Sequence, residues 1–373
     1  MRKSIPEHDV ALNLRPGELV EVRSEAEILA TLDANGRLDA QPFMPEMLEF
    51  CGKQFHVYKR SDKTCDTISN SGSRRMWNTV HLEELRCNGS AHDGCQARCM
   101  LFWKEAWLKR VRDGGAEPKS TLAPSAAPSG TYTRDDLALS TRATGQGENA
   151  GKVIYSCQVT EVLRASTPLP WWDIRQYYRD ICWGNGGVSD VVRAMFLWAF
   201  NRALKIGGYR ILLGTYNRIQ KMRGGVPYPF LRGTLAKTPT EELNLQPGDL
   251  VQIKSYEEIL ATLDGRNKNR GLYFDSEMVP FCGQKYRVLD RVERIVNEKT
   301  GEMSKLPGAC IMMEGVICRS WYSDRRIACP RSIFSYWREI WLRRVEEGDG
   351  GKGQRASGWI GPRTSNFQER TDR

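Results

Sequence analysis

Hydrophobic and polar positions follow the same order in two distant parts of the chain. Residues 12–33 carry LNLRPGELVEVRSEAEILATLD, and residues 243–264 carry LNLQPGDLVQIKSYEEILATLD. Fifteen of these 22 positions are identical. In each copy a Pro-Gly turn leads into alternating apolar and polar residues, which predicts a β-strand. A Ser-x-x-Glu capping box follows and predicts the start of a helix.

The repeat continues beyond these elements at a constant offset of 231 residues. It includes matching Phe-Cys-Gly turns and ends, after an insertion of three residues, with FWKEAWLKRV in the first copy and YWREIWLRRV in the second. We expect this last segment to be a helix with Trp103 and Trp107 on one face. A core-facing aromatic stripe is favoured there over a platform on which bases stack. One module of about a hundred residues has therefore been duplicated.

The pattern predicts the α+β class, with each copy forming a small SH3-like, partly open barrel with a C-terminal helix. Between the copies, residues 151–240 are expected to form a mainly helical central region that packs on the second module. Its most apolar segment, Val191 to Ile206, is predicted to be a buried helix. The predicted organisation is a first module (10–112), a flexible Gly/Ala/Pro/Ser-rich linker (113–150), the central region (151–240), a second module (241–347) and a disordered tail (348–373).

Charge and hydropathy restrict the class of partner but do not identify it. Lys and Arg number 55 against 45 Asp and Glu, a net charge of +10, but the two signs alternate through both modules. The partner is predicted to be a protein or a small molecule, and nucleic acid is the alternative because the balance favours anions. No stretch reaches 18 uninterrupted apolar residues, so no membrane partner is expected. The first residues lack the apolar core of a secretory signal, which predicts a cytoplasmic location.

Eleven cysteines in a reducing compartment indicate metal ligation or burial rather than disulfides. Four of the candidate ligands lie within 13 residues, as Cys87-x4-His92-x2-Cys95-x3-Cys99. Zn²⁺ in a structural site takes four tetrahedral nitrogen or sulfur ligands, and this segment supplies them without help. The sequence therefore predicts a structural zinc site. Reduced thiols packed as small hydrophobes, with a surface His, are the first alternative, and redox chemistry is the second.

The second copy keeps only part of this ligand set. Cys318 and Cys329 align with Cys87 and Cys95, whereas the position of Cys99 is Ile333. Either the second module uses a different fourth ligand or it has lost the metal, and loss is favoured. The alternative ligands are Cys51 in the first module and Cys282, Cys310, Cys318 and Cys329 in the second.

An enzymatic function is the weaker hypothesis. Cys51 and Cys282 lie in equivalent turns, but His56, the base nearest to Cys51 in sequence, is replaced in the second copy by Arg287. A nucleophilic thiol needs a base or a positive environment, and the chain contains neither a P-loop nor a G-x-G-x-x-G motif. No catalytic residue is assigned, and a metal-dependent or cysteine-dependent enzyme stays an alternative.

The two copies differ most in two loops, between Cys87 and Trp103 and between Cys318 and Trp337, while the surrounding scaffold is constant. Loops on a rigid frame usually carry recognition. We therefore expect partner contacts in these loops, where Arg325, Arg326 and Arg331 would give the second copy a surface that attracts anions.

These motifs, together with YYRDICWGN in the central region, resemble a family of bacterial proteins that carry the module singly or in tandem. The resemblance covers both modules and the centre, and leaves out the linker and the tail. It implies an association with genes of specialised metabolism. It implies no activity, because none is established for that family.

Overall fold

The computed structural model describes residues 11–111, 132–145, 150–206, 209–322 and 326–346. The fold is mixed, with about 25% helix and 26% strand, and its antiparallel sheets include a half-barrel. Within the described ranges, no helix is both long and apolar enough to cross a membrane.

The elements follow the repeat. The first module contains β1 (Leu19–Val22), α1 (Glu25–Leu29), β2 (Arg37–Leu38), β3 (Gln41–Pro42), β4 (Gln54–Arg60), β5 (Lys63–Cys65), β6 (Ser73–Arg75), β7 (Thr79–Leu82), β8 (Trp103–Lys104) and β9 (Leu108–Arg110). Then come α2 (Arg134–Ser140), β10 (Arg142–Thr144), β11 (Val153–Tyr155), β12 (Thr167–Leu169), α3 (Arg175–Cys182), α4 (Val188–Ile206) and α5 (Tyr209–Met222). The second module contains β13 (Leu250–Ile253), α6 (Tyr256–Leu260), β14 (Lys268–Asn269), β15 (Leu272–Tyr273), β16 (Lys285–Val296), β17 (Met303–Met313) and β18 (Leu342–Arg344). Short 3-10 helices lie at Pro45–Phe50, Ser90–His92, Glu105–Trp107, Ser276–Phe281 and Glu339–Trp341.

The main sheets of the two modules have equivalent strand orders. The first is β8-β7-β4-β1-β9 and the second is β17-β16-β13-β18. Leu19 pairs with His56 in the first sheet, and Leu250 pairs with Arg287 in the second, so the register is kept at an offset of 231. Both predicted capping boxes are confirmed at the starts of α1 and α6. The strands β1, β4, β7 and β9 thus recur in the second module as β13, β16, β17 and β18, whereas β8 has no counterpart strand there.

The predicted closing helix is wrong. In the first copy the segment is a strand, one 3-10 turn and a second strand. In the second copy an isolated β-bridge at Trp337 precedes the 3-10 turn and the last strand. This path buries both Trp103 and Trp107, and it lets the Trp107 indole donate to Thr31 Oγ1 at 3.0 Å. The second module repeats the bond between Trp341 and Thr262 at 2.9 Å. The core interpretation of the tryptophans is therefore confirmed, and a stacking platform is excluded because the rings are fully buried.

The predicted linker is too long. Residues 132–145 form α2 and β10, because Thr133 and Asp136 make a capping box and Leu137 is buried in the core of the first module. The rest of the predicted linker up to residue 149, together with the predicted tail, lies outside the described residues.

The central region packs on both modules rather than on the second alone. Its strand β12 pairs with β6 of the first module, and Asp180 in α3 forms a buried ion pair with Lys63. Phe230 packs edge-on against Tyr322 of the second module, with ring centroids 6.3 Å apart.

Helix α4 departs from the prediction of a buried helix. It buries Leu197 and Leu204, but Val192, Met195 and Phe196 on the opposite face are more than half exposed. The helix is apolar on both faces, and only one of them is covered by the described part of the chain.

The two divergent loops lie at the contact between the modules. From the first loop, Gln96 donates to the Arg291 carbonyl of β16 at 3.0 Å, and Arg98 forms an ion pair with Asp290 at 2.9 Å. From the second loop, the Ser332 carbonyl accepts a hydrogen bond from Arg86 of the first module at 3.0 Å. Each loop therefore packs on the other module, and this contact is a structural reason for their divergence.

Candidate metal centre

The loop after Cys87 is a tight, hydrogen-bonded turn. Gly89 has a φ of +77°, and a Cβ there would come within 2.1 Å of the Cys95 carbonyl oxygen, so only glycine fits. The Cys87 N–H donates to the Cys99 carbonyl at 2.8 Å, and the Cys95 N–H donates to the His92 carbonyl at 3.2 Å. The backbone thus folds the loop back on itself. Of the four predicted ligands, Cys87 and His92 have ligand atoms in one close group, and Cys95 and Cys99 do not belong to that group.

His92 is buried and has one nitrogen available. Its ring is hydrogen-bonded to the backbone of Ser156, while Nε2 is buried without a hydrogen-bond partner. Burial lowers the pKa of His92, which favours the neutral imidazole that binds metals. A ring oriented through one nitrogen, with the other one free, is typical of a metal ligand.

Glu46 joins this histidine from the 3-10 helix Pro45–Phe50. The Cys87 thiol donates to Glu46 Oε1 at 3.2 Å, and Oε2 is buried without a partner. One ligand atom from each of Glu46, Cys87 and His92 lies within 4.8 Å of the others. Glu46 is a candidate ligand that the Cys/His spacing does not predict. Its recurrence as Glu277 in a conserved-looking apolar turn was the available signal.

All four predicted ligands line one small cavity of about 40 Å³. Two side chains from other parts of the chain join them, namely Cys157 after β11 and Glu298 in the β16–β17 turn. Cys157 was missed because it lies 58 residues beyond Cys99, so no spacing pattern connects the two. Together with Glu46, the site is therefore built from four segments of the chain.

In the absence of a cation, the raised pKa values of Cys87, Cys99 and Cys157 favour the protonated thiols. Burial raises the pKa of Cys87 and of Cys99 far above the ordinary range, and the carboxylates of Glu46 and Glu298 respectively act in the same direction. Burial also raises the pKa of Cys157 to about 11. A bound divalent cation reverses this balance, because a coordinating thiol is deprotonated by the metal's charge.

The second module does not assemble an equivalent group among its described residues. Glu277, the counterpart of Glu46, accepts the N–H groups of Trp321 at 2.9 Å and Tyr322 at 2.6 Å. In the second module, backbone N–H groups therefore donate to both carboxylate oxygens of Glu277. In the first module, Oε2 of Glu46 has no hydrogen-bond partner among the described residues.

Among the described residues, the candidate alternative ligands of the second module do not form a group of three that could hold a metal ion. Cys310 packs with Val292 and Met312, and Cys318 lies 3.6 Å from Ser320 Oγ. Cys329 is hydrogen-bonded to Cys65 of the first module, and Cys282 borders the core of the second module.

Neither Cys51 nor Cys282 has the surroundings of an activated nucleophile. Burial raises the pKa of Cys51, and it raises the pKa of Cys282 to about 12. His56 is exposed and faces Glu83, with Nδ1 4.0 Å from the carboxylate. Cys51 does not line the metal cavity either.

The predicted anion-binding arginines do not form one surface. Arg331 is buried, where Nη1 donates to the Cys65 carbonyl at 3.2 Å and to Thr67 Oγ1 at 3.0 Å. Its guanidinium also pairs with Glu298 at 3.5 Å. Arg331 therefore joins the modules and is not available to a partner. Arg326 is half-buried, and Arg325 lies outside the described residues.

No protein-family model, curated protein or solved structure matches the chain. Function therefore rests on the geometry of this centre and on the surfaces around it.

Proposed function

We propose that this is a non-catalytic, zinc-binding accessory protein with tandem modules, acting as a binding protein in the bacterial cytoplasm. The observation that carries the proposal is the meeting of Cys87, His92, Cys95 and Cys99 at one small cavity. His92 Nε2 and Glu46 Oε2 are both buried there without hydrogen-bond partners. Buried polar atoms rarely lack partners, so a bound cation is the simplest way to satisfy them.

The donor set favours zinc over other common cations. Thiolate and imidazole ligands suit Zn²⁺, whereas Mg²⁺ and Ca²⁺ take oxygen ligands. A reducing cytoplasm, where free thiols persist, fits the same role.

A structural role is favoured over a catalytic one. Cys87, His92, Cys95 and Cys99 supply four nitrogen or sulfur donors at one cavity, which is the full ligand set of a closed structural zinc site. Catalytic zinc keeps an open position for water and substrate. The cysteine-enzyme alternative is weakened by the raised pKa values of Cys51 and Cys282.

The binding role is supported by the uncovered apolar face of α4, since large exposed apolar patches usually mark interaction sites. The nucleic-acid alternative is weakened by the complete burial of Trp103 and Trp107. Each half-barrel is proposed to be an SH3-like module. The resemblance to proteins encoded near specialised-metabolite genes supports a role in such a pathway.

Elemental analysis of the purified chain tests the metal centre. We expect about one zinc ion per chain in the wild type, as in other closed four-ligand sites. Cys87→Ser should lose the metal and destabilise the first module, because structural metal binding is coupled to folding. Cys182→Ser is the matched control, since Cys182 is exposed on α3. A wild-type chain that neither contains zinc nor loses stability with a chelator would contradict the proposal.

A further inference from the structure

We infer that Cys157 is one of the four zinc ligands, so that the metal joins the central region to the first module. This inference rests on the proposed zinc centre and deepens it, because it moves one ligand out of the Cys87–Cys99 loop.

The position of Cys157 is the first support. It follows β11, packs against the core of the first module together with Cys87, and lines the same cavity as the loop ligands. The preceding residue, Ser156, is the one whose backbone holds the His92 ring. One short turn therefore orients the histidine and presents a sulfur beside it.

The turn around Cys157 is fixed to the first module independently of any metal. The buried Gln158 side chain accepts the Phe102 N–H at 2.8 Å and donates to the Pro42 carbonyl at 3.0 Å. Glu161 forms an ion pair with Arg37 at 2.9 Å, and the Ser156 N–H donates to the Thr141 carbonyl at 2.8 Å. These contacts on both sides hold the Cys157 sulfur at the cavity, as a metal site requires of its ligands.

The number of donors makes the inference specific. Cys87, His92, Cys95, Cys99 and Cys157 are five nitrogen or sulfur donors on one cavity, but a closed structural zinc site uses four. Cys87 and His92 already converge within 4.8 Å together with Glu46. Cys95, Cys99 and Cys157 lie outside that group but line the same cavity. We assign the remaining two positions to Cys157 and to one of the pair Cys95 and Cys99.

A set of single variants in the full chain tests the assignment. Zinc content and affinity are measured for Cys157→Ser, Cys95→Ser and Cys99→Ser, with Cys182→Ser as the control. We expect Cys157→Ser to lose at least tenfold in zinc affinity, because outer-shell partners alone are worth 10–100-fold and a direct ligand is worth no less. Of the other two variants, one should keep the metal. Retention by Cys157→Ser with loss by both of the others would establish the loop-only site and overturn the inference.

Chelator-dependent alkylation of the wild-type protein covers the case in which Cys157→Ser does not fold. Iodoacetamide labelling, read by mass spectrometry, is compared before and after zinc removal. Alkylation of Cys157 should rise on zinc removal together with that of Cys87, while Cys182 is labelled equally in both states. Equal labelling of Cys157 with and without zinc would overturn the inference while leaving the zinc centre itself intact. Absence of zinc from the wild type would instead remove the proposed function.

Discussion

The Cys87 thiol donates a hydrogen bond to Glu46 Oε1 over 3.2 Å, and at the duplicated position the Cys318 sulfur lies 3.6 Å from Ser320 Oγ. Glu277 instead accepts two backbone N–H groups from the loop that replaces the ligand segment. A buried carboxylate is costly unless it is paired, so each module must satisfy this glutamate in some way. The first module does so with a thiol and, in our proposal, a nearby metal, whereas the second does so with its own backbone.

This difference predicts opposite consequences for the same substitution in the two modules. Glu46→Gln should weaken zinc binding by roughly 10–100-fold, the effect of losing a partner next to the ligands. Glu277→Gln should leave zinc binding unchanged and cost about 1–3 kcal/mol of unfolding free energy, because it weakens two bonds to backbone donors. Zinc titration and urea unfolding of both variants measure the two effects. Equal loss of zinc from both variants would show that the second module also binds metal.

A second prediction concerns acid stability. Burial lowers the pKa of His81 to about 3. The positive charges of Arg331, Arg86 and Lys59 lower the pKa further, and the hydrogen bond to the Leu101 carbonyl opposes them. The unfolded chain takes up the proton near pH 6.5 and the folded chain does not. The stabilisation is therefore complete above pH 6.5 and is lost as the pH falls towards 3, by up to roughly 5 kcal/mol.

The repeat supplies the control for this prediction. Met312 occupies the equivalent position in the second module and is equally buried. His81→Met should therefore be accepted and should flatten the loss of stability between pH 6.5 and pH 4. Urea unfolding at matched zinc content, repeated across this range, measures the difference between the two proteins. Parallel pH profiles would show that His81 does not carry the acid sensitivity.

A third prediction concerns an ion pair that both modules contain. Arg60 and Glu105 are both buried and lie 2.7 Å apart, and Arg291 and Glu339 form the equivalent pair at 2.6 Å. The side chain of Arg291 is 29% exposed, whereas that of Arg60 is 2% exposed. Removing one partner of a buried ion pair leaves the other charge buried without a partner, which is destabilising.

Glu105→Gln should therefore cost about 3 kcal/mol of unfolding free energy. This value is at the lower end of the range for breaking a buried ion pair, because Arg60 keeps its ion pair with Asp62. Glu339→Gln should cost about 1 kcal/mol, since water screens Arg291. Urea unfolding of the two variants measures both losses of unfolding free energy and therefore their ratio. Equal costs would mean that the exposure of the arginine does not control the strength of this contact.

The sequence allowed the local elements of the repeat to be predicted because their signals are local. The capping serines, Ser24 and Ser255, act within one helical turn, so they identify α1 and α6 without tertiary information. The segment of Trp103 and Trp107 was predicted wrongly because a spacing of four residues fits a helix. Here Trp103 lies on a strand, and the 3-10 turn between the two tryptophans brings both rings into one core. Tertiary burial overrides local periodicity at such positions.

The metal centre shows the same limit. The spacing of Cys87, His92, Cys95 and Cys99 identified the loop, and the structure places all four at one cavity. Glu46 and Cys157 reach that cavity from other segments, and no sequence spacing encodes a contact made by tertiary packing. The expectation for Arg331 failed for a related reason, since a charged side chain in a loop is usually exposed unless a second module covers it.

The last prediction tests which face of α4 is covered in solution. Met195 and Leu197 lie two residues apart on this helix, with Met195 65% exposed and Leu197 4% exposed. Met195→Asn should change the unfolding free energy by less than about 0.5 kcal/mol, as surface substitutions usually do. Leu197→Asn should cost about 3 kcal/mol, because it removes buried apolar volume and buries an amide. Urea unfolding at low protein concentration measures both, and sedimentation of the same samples reports self-association. If Met195→Asn costs as much as Leu197→Asn, the exposed face is covered in the free protein, and it cannot be the surface that supports a binding role.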